Sequence, residues 1–213
     1  PSSSIHPQGR GAASQVDNAR EQISRIINCS PREIVFTSGA TESNNIAITG
    51  TARALARESS RRTVLVSAME HSAVLEPAFS LTDEGFNVKR IACGQDGIVD
   101  ISSLQSNLTD DVMLVSVMMV NNEIGTIQPI NEISRLAHSI GAVVHSDCAQ
   151  ALGKVPVDVR SMDVDLMSMS AHKMGGPKGV GALYLRSGPT NFPISPITIG
   201  GGHESGLRPG TLN

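Results

Sequence analysis

The sequence predicts an α/β fold with a mostly parallel sheet flanked by helices. Short β-prone runs alternate with segments of helical periodicity along the whole chain. Several of those runs, such as TVLVSA at 63–68 and VMLVSVMMV at 112–120, are apolar throughout, as strands covered on both faces are. Aromatic residues make up 2% and Trp is absent, so the core must come from Val, Ile, Leu, Met and Ala.

The elements follow in order. Residues 11–27 carry Val16, Ala19, Ile23, Ile26 and Ile27 at helical spacing, and Pro31 restarts the chain. EIVFT at 33–37 reads as a strand. Ser38-Gly39-Ala40-Thr41 then opens a helix running to about Arg57, with Ile46, Ile48, Ala52 and Leu55 facing inward. A strand at 63–68 leads into a helix that Glu70-His71-Ser72 opens and that ends near Glu84. Residues 87–92 form a strand, 100–107 a short helix, and 112–120 a long apolar strand followed by Asn121-Asn122-Glu123. Ile133, Leu136, Ala137 and Ile140 lie on a further helix with Gly141 as C-cap. Strands at 143–146, 165–170 and 180–185 complete the series. No repeat, low-complexity tract or linker interrupts it, so residues 1–213 are read as one domain.

The net charge of −3 and the lack of a Lys/Arg run give no basis for nucleic-acid binding. No apolar stretch has the length of a membrane span. Cys29, Cys93 and Cys148 are an odd set without CxxC spacing, which fits a reducing cytoplasm. The chain opens without Met on PSSSIHPQGR and closes on GGGHESGLRPGTLN, so a fragment cut at both ends is expected.

In parallel sheets ligands collect at the carboxyl ends of strands. The informative polar residues fall there: Ser38 to Thr41, His71, Asn122, Asp147 to Gln150, and Ser170 to Lys173. Lys173 sits at a strand end before Gly175, Gly176, Pro177 and Gly179. A lysine amine whose pKa is lowered by burial or a nearby cation is a nucleophile toward aldehydes, the chemistry used with pyridoxal phosphate (PLP). Ser38-Gly39-Ala40-Thr41 between strand and helix offers backbone N–H groups to a phosphate, and equally fits an ordinary turn with Thr41 as N-cap. Asp147 is the candidate partner for a protonated pyridine nitrogen, or alternatively a helix N-cap. Gln150 and Asn122 are placed to reach a phenolic oxygen. His71 has the chemistry to stack on a ring and relay protons, or to cap a helix. No His, Cys or Asp pair has metal-site spacing.

Six ordered segments, SGATESNN (38–45), MEHSAVLEP (69–77), VNNEIGTIQP (120–129), HSDCAQALGK (145–154), SAHKMGGPKGVGALY (170–184) and GGGHESGLRPGT (200–211), resemble the motif set of class V aminotransferase-like PLP enzymes. Within that group the chain resembles the cysteine desulfurases, including the opening PSSSIHPQGR. The resemblance implies a PLP fold type I large domain, with a small C-terminal domain expected outside this chain. It implies conversion of L-cysteine to L-alanine, with the sulfur passed to an enzyme cysteine as a persulfide. Selenocysteine lyase is the alternative, RPGT with Pro209 being familiar there, and a catalytically inactive scaffold of the same fold is a third reading.

By the same resemblance Lys173 is the Schiff-base lysine and moves the substrate Cα proton, and His71 stacks on the ring. Asp147 partners the pyridine nitrogen, while Gln150 and Asn122 lie near the phenolic oxygen and substrate. Ala40, Thr41, Ser170 and His172 hold the phosphate. Thr211 reaches the phosphate of a neighbouring subunit, implying a homodimer, and a sulfur-acceptor protein is an expected partner. The sulfur-accepting cysteine is expected after Asn213. Two positions depart from the pattern: Cys148 stands where Ala is common, and Ser205 where an arginine is common.

Overall fold

The computed structural model describes residues 6–213; the first five residues of the PSSSIHPQGR motif lie outside that range. Helix α1 (Pro7–Ile26) begins earlier than its apolar periodicity predicts. His6 accepts the Gly9 N–H at 3.0 Å, and Pro7 occupies the first turn, where its missing N–H costs nothing. Strand β1 (Ile34–Thr37) follows a tight turn at Pro31–Glu33.

The expected helix to Arg57 is three pieces in a row: α2 (Ala40–Asn45), a wide turn at Ile46–Gly50, and α3 (Thr51–Glu58). Every residue of the wide turn is buried, and its Gly50 carbonyl accepts the Ser195 N–H at 3.0 Å. The remaining elements are β2 (Thr63–Ser67), α4 (Ser72–Ser80), β3 (Asn87–Ile91), α5 (Ile101–Asn107) and β4 (Val112–Ser116), then α6 (Ile130–His138), β5 (Val143–Asp147), α7 (Val159–Met162), β6 (Leu166–Ser170) and β7 (Gly181–Leu185). The four-residue α7, capped by Asp158, is too short to leave a periodic signal and was not expected from sequence.

The seven strands form one sheet in the order β1-β7-β6-β5-β4-β2-β3. Strand β7 pairs antiparallel with both β1 and β6, and all other pairs are parallel, so only β7 opposes the common direction. The mostly parallel sheet is therefore observed. Alternation along the strands sends side chains to two apolar layers. Leu65, Val115, Val144, Met167 and Tyr184 pack under α1, α5 and α6, whereas Val64, Val66 and Leu114 pack under α3 and α4.

One strand is shorter than its apolar run. Residues 112–120 pair as a strand only to Ser116; β2 stops at Ser67 and leaves the β2 side without a partner beyond there. Val117 and Met119 still donate to the His145 and Asp147 carbonyls, but the Met118 N–H turns to the Glu70 carboxyl. The chain then bends through 121–126, with Val120 bridging Ile127.

Candidate active site

A cleft of about 630 Å3 opens at the carboxyl ends of β1, β5 and β6. It is lined by nine of the ten residues singled out from the sequence: Ala40, Thr41, His71, Asn122, Asp147, Gln150, Ser170, His172 and Lys173. Thr211 is the exception. It lines a separate hollow with Val16, Ala19 and Arg208, which shares only Gly179 with the cleft.

Asp147 forms the floor. It ends β5 at 5% exposure, and its Oδ2 accepts Asn44 Nδ2 at 2.8 Å while Oδ1 accepts the Ala149 N–H at 2.9 Å. The capping alternative is thus present as a turn bond, although a multi-turn helix does not follow. Burial raises the carboxyl above its ordinary range; the two hydrogen bonds and the nearby His71 pull the other way. Among the described residues no Lys or Arg side chain hydrogen-bonds it. A buried carboxyl aimed into a cleft without a basic partner is the donor-acceptor arrangement that a protonated pyridine nitrogen completes.

His71 caps α4, with Nδ1 accepting the Ala73 N–H at 3.0 Å. In the neutral ring this leaves the proton on Nε2. Capping and a place in the cleft are therefore compatible.

Lys173 lies in a single turn, Ala171–Met174, that leaves β6 and closes on Gly175 at φ 86°, a conformation costly for a residue with a Cβ. Its side chain is exposed at the cleft wall rather than buried. Two cationic or titratable neighbours, His172 and Lys178, line the same cleft. Lys178 was missed from sequence because the GGPKG loop carries no periodicity to orient it.

The corner expected from the sequence to take a phosphate is built by α2. Gly39, not Thr41, is the cap residue, and it makes no side-chain cap bond, so Thr41 already belongs to the helix. The opening N–H groups of the helix, at Ala40 and Thr41, have no intrahelical acceptor and face the cleft with Ser170, whose Oγ pairs with His172 Nδ1 at 2.9 Å. Two buried polar side chains fix the helix. Ser43 Oγ donates to the Ala182 carbonyl at 3.1 Å, and Asn44 holds Asp147. Glu42 would oppose an anion here, but its carboxylate is engaged by Arg208 Nε at 3.0 Å and by the Ser38 N–H. Burial raises its pKa, yet those bonds outweigh it and hold the group below its usual range.

Asn122 Nδ2 donates to Glu123 Oε1 at 2.6 Å, and Lys154 donates to the Gln150 side-chain carbonyl, so Gln150 keeps its amide N–H groups for the cleft. None of the three cysteines lines it. Cys148 is fully buried, with Sγ 3.6 Å from Ser146 Oγ and 3.9 Å from Met119 Sδ, and burial raises its thiol strongly. Cys29 is pushed up to about 12, also by burial. Neither is a ready thiolate.

Fold and cleft together define an α/β protein with a ligand site at the carboxyl edge of its sheet, built around a lysine on one wall and a buried aspartate on the floor. The chain belongs to the aminotransferase class-V family, whose sequence model matches residues 1–208. It is 50% identical to the cysteine desulfurase IscS of Vibrio atlanticus and 48% identical to the mitochondrial cysteine desulfurase of Drosophila melanogaster, in each case over its whole length. The solved structure of a NifS-like protein superposes with a TM-score of 0.93 at 40% identity, covering 99% of this chain and 57% of that one. The chain spans about half the length of the curated relatives it matches, 52% of the Vibrio protein and 45% of the Drosophila one.

Proposed function

We propose that this chain is the large domain of a PLP-dependent cysteine desulfurase that converts L-cysteine to L-alanine. The observation that carries the reading is the placement of Lys173 in one cleft with the buried Asp147, to which no Lys or Arg among the described residues hydrogen-bonds. The class-V family match and the desulfurase relatives support it.

PLP, when bound, supplies an aldehyde for amine condensation and an electron-withdrawing ring that stores the charge left as a proton leaves the substrate Cα. Lys173 would hold PLP through its amine and would move the substrate Cα proton. Asp147, oriented by Asn44, would hold the proton at the ring nitrogen. His71, fixed by its bond from Ala73, would lie against the ring and offer Nε2 for proton transfer. Ala40 and Thr41 give backbone donors to the phosphate, and Ser170 and His172 add side-chain donors. Gln150 and Asn122 orient the phenolic oxygen and the substrate. A cysteine thiolate outside residues 1–213 takes the substrate sulfur, so that L-cysteine and a protein thiol become L-alanine and a protein persulfide, which a sulfur-acceptor protein then discharges. Thr211, set apart from this chain's own cleft, reaches the phosphate of a second copy in a homodimer.

No described helix is long and apolar enough to cross a membrane. The cytoplasm is the proposed compartment. Several relatives, the Drosophila protein among them, carry "mitochondrial" in their names.

Borohydride reduction of the PLP-loaded, full-length protein followed by peptide mapping tests the site. The pyridoxyl label is expected on Lys173, and label on Lys178 or Lys154 overturns the assignment. Alanine release from L-cysteine is expected to exceed that from L-selenocysteine. The reverse order would support the alternative, a selenocysteine lyase, in which an RPGT motif with Pro209 is also familiar. Sedimentation of a fully loaded monomer would rule out the shared site.

A further inference from the structure

Glu70 is the residue before His71, and it is buried to 7% exposure in a site where a carboxyl has no ion-pair partner. Its Oε1 accepts the Met118 N–H at 2.6 Å. Its Oε2 is buried with no hydrogen bond. A second bond runs beside it, from Asn121 Nδ2 to the Met69 carbonyl at 3.0 Å. Two segments that the β2–β4 ladder does not join, the β2 exit at 68–71 and the β4 exit at 117–122, are thus tied to each other through one buried carboxyl and one amide. Both line the cleft, the first through His71 and the second through Met118, Val120 and Asn122.

We propose that Glu70 is a positioning residue for this site, its carboxyl setting the height of His71 over the cleft by tying the turn that carries it to the β4 exit. This rests on the function proposed above, and extends it to a residue that touches neither cofactor nor substrate. The carboxyl works in its neutral form. Burial pushes it up to about 8, opposed by the Met118 N–H and the Ser67 hydroxyl and reinforced by the Asp147 carboxylate. The other titratable groups facing it, Cys93 and Cys148, have thiols raised by burial and stay neutral with it. Ionising Glu70 buries a charge beside the Asp147 carboxyl without a counter-ion, which loosens the tie.

The test uses the full-length protein with Glu70→Gln, isosteric with the neutral acid, and Glu70→Ala. Without cofactor, amide exchange at Met118 is expected to stay slow in the Gln variant and to speed up about tenfold or more in the Ala variant, where the acceptor is lost. With PLP and L-cysteine, Glu70→Ala is expected to lower kcat about a hundredfold through misplacement of His71, with KM little changed. Turnover of wild type is expected to decline as pH rises through about 8, and Glu70→Gln is expected to keep neutral-pH turnover and lose that decline. Any limb due to Lys173 persists in both. The inference is overturned if Glu70→Ala leaves Met118 exchange and kcat at wild-type values, if Glu70→Gln is as impaired as Glu70→Ala, or if wild type and Glu70→Gln share one pH profile. Should wild type fail to bind PLP, the functional reading falls, and Met118 exchange still decides whether Glu70 ties the two segments.

Discussion

Asn44 Nδ2 donates to Asp147 Oδ2 at 2.8 Å, joining the helix whose first turn lines the cleft to the strand that carries the buried carboxyl on its floor. Both residues are buried, and the Asn44 carbonyl oxygen has no partner of its own. The amide is thus committed to Asp147, and one bond inside the protein ties these two parts of the cleft together.

Asp147→Asn keeps the size of the side chain and removes its charge. The variant is expected to bind PLP and form the link to Lys173 while turnover falls by about two to three orders of magnitude, the loss typical of removing a charge aimed at the reacting centre. Absorbance of the bound cofactor and alanine release, measured on the same full-length preparation, check both halves. Near-normal turnover rejects the role.

Cys148 is the cysteine nearest a cleft residue, yet its thiol packs against Met119 and Ser146. Cys148→Ala is expected to leave persulfide formation intact and to cost about 1 kcal/mol of stability for the small void. Loss of persulfide with the PLP spectrum unchanged would make Cys148 catalytic after all.

Gly181 sits where β7 passes between β1 and β6. A Cβ there would lie 2.5 Å from Gly39 Cα and 2.6 Å from the Met169 carbonyl oxygen, both backbone atoms that cannot step aside. Gly181→Ala is expected to cost about 1–3 kcal/mol by overpacking. Because Gly39 caps α2, the same change should weaken PLP binding. Thermal unfolding and PLP titration on one preparation separate the two effects, and unchanged affinity would disconnect Gly181 from the phosphate corner.

His138 binds Asp165 at 2.8 Å and Asp163 at 3.2 Å, with Arg186 on the far side of both carboxylates. Its pKa is raised above 6.5, chiefly by the Asp165 hydrogen bond against partial desolvation. A raised folded pKa stabilises the protein fully below the unfolded value and progressively less as pH rises through the folded one. Wild type is expected to exceed His138→Gln in stability by roughly 1 kcal/mol or less at acidic pH, the range for a partly exposed pair, with the gap closing at alkaline pH. Denaturant midpoints across that window check the sign.

The sequence alone determined the alternation of strands and helices, because continuous apolar runs and helical periodicity are local properties of the chain. It also determined which residues stand at strand ends, and nine of ten named site residues do share one cleft. Tertiary structure decided the rest. Strand β4 loses its β2 partner after Ser116, where β2 ends, a fact no local pattern contains. Asn44 and Glu70 became part of the site through bonds to residues 103 and 48 positions away. Lys178 entered through the course of a glycine-rich loop, and Thr211 was kept out of this chain's own cleft. Local propensity reads the backbone one segment at a time, whereas a buried carboxyl's partner is fixed only when distant segments are brought together and water is excluded from between them.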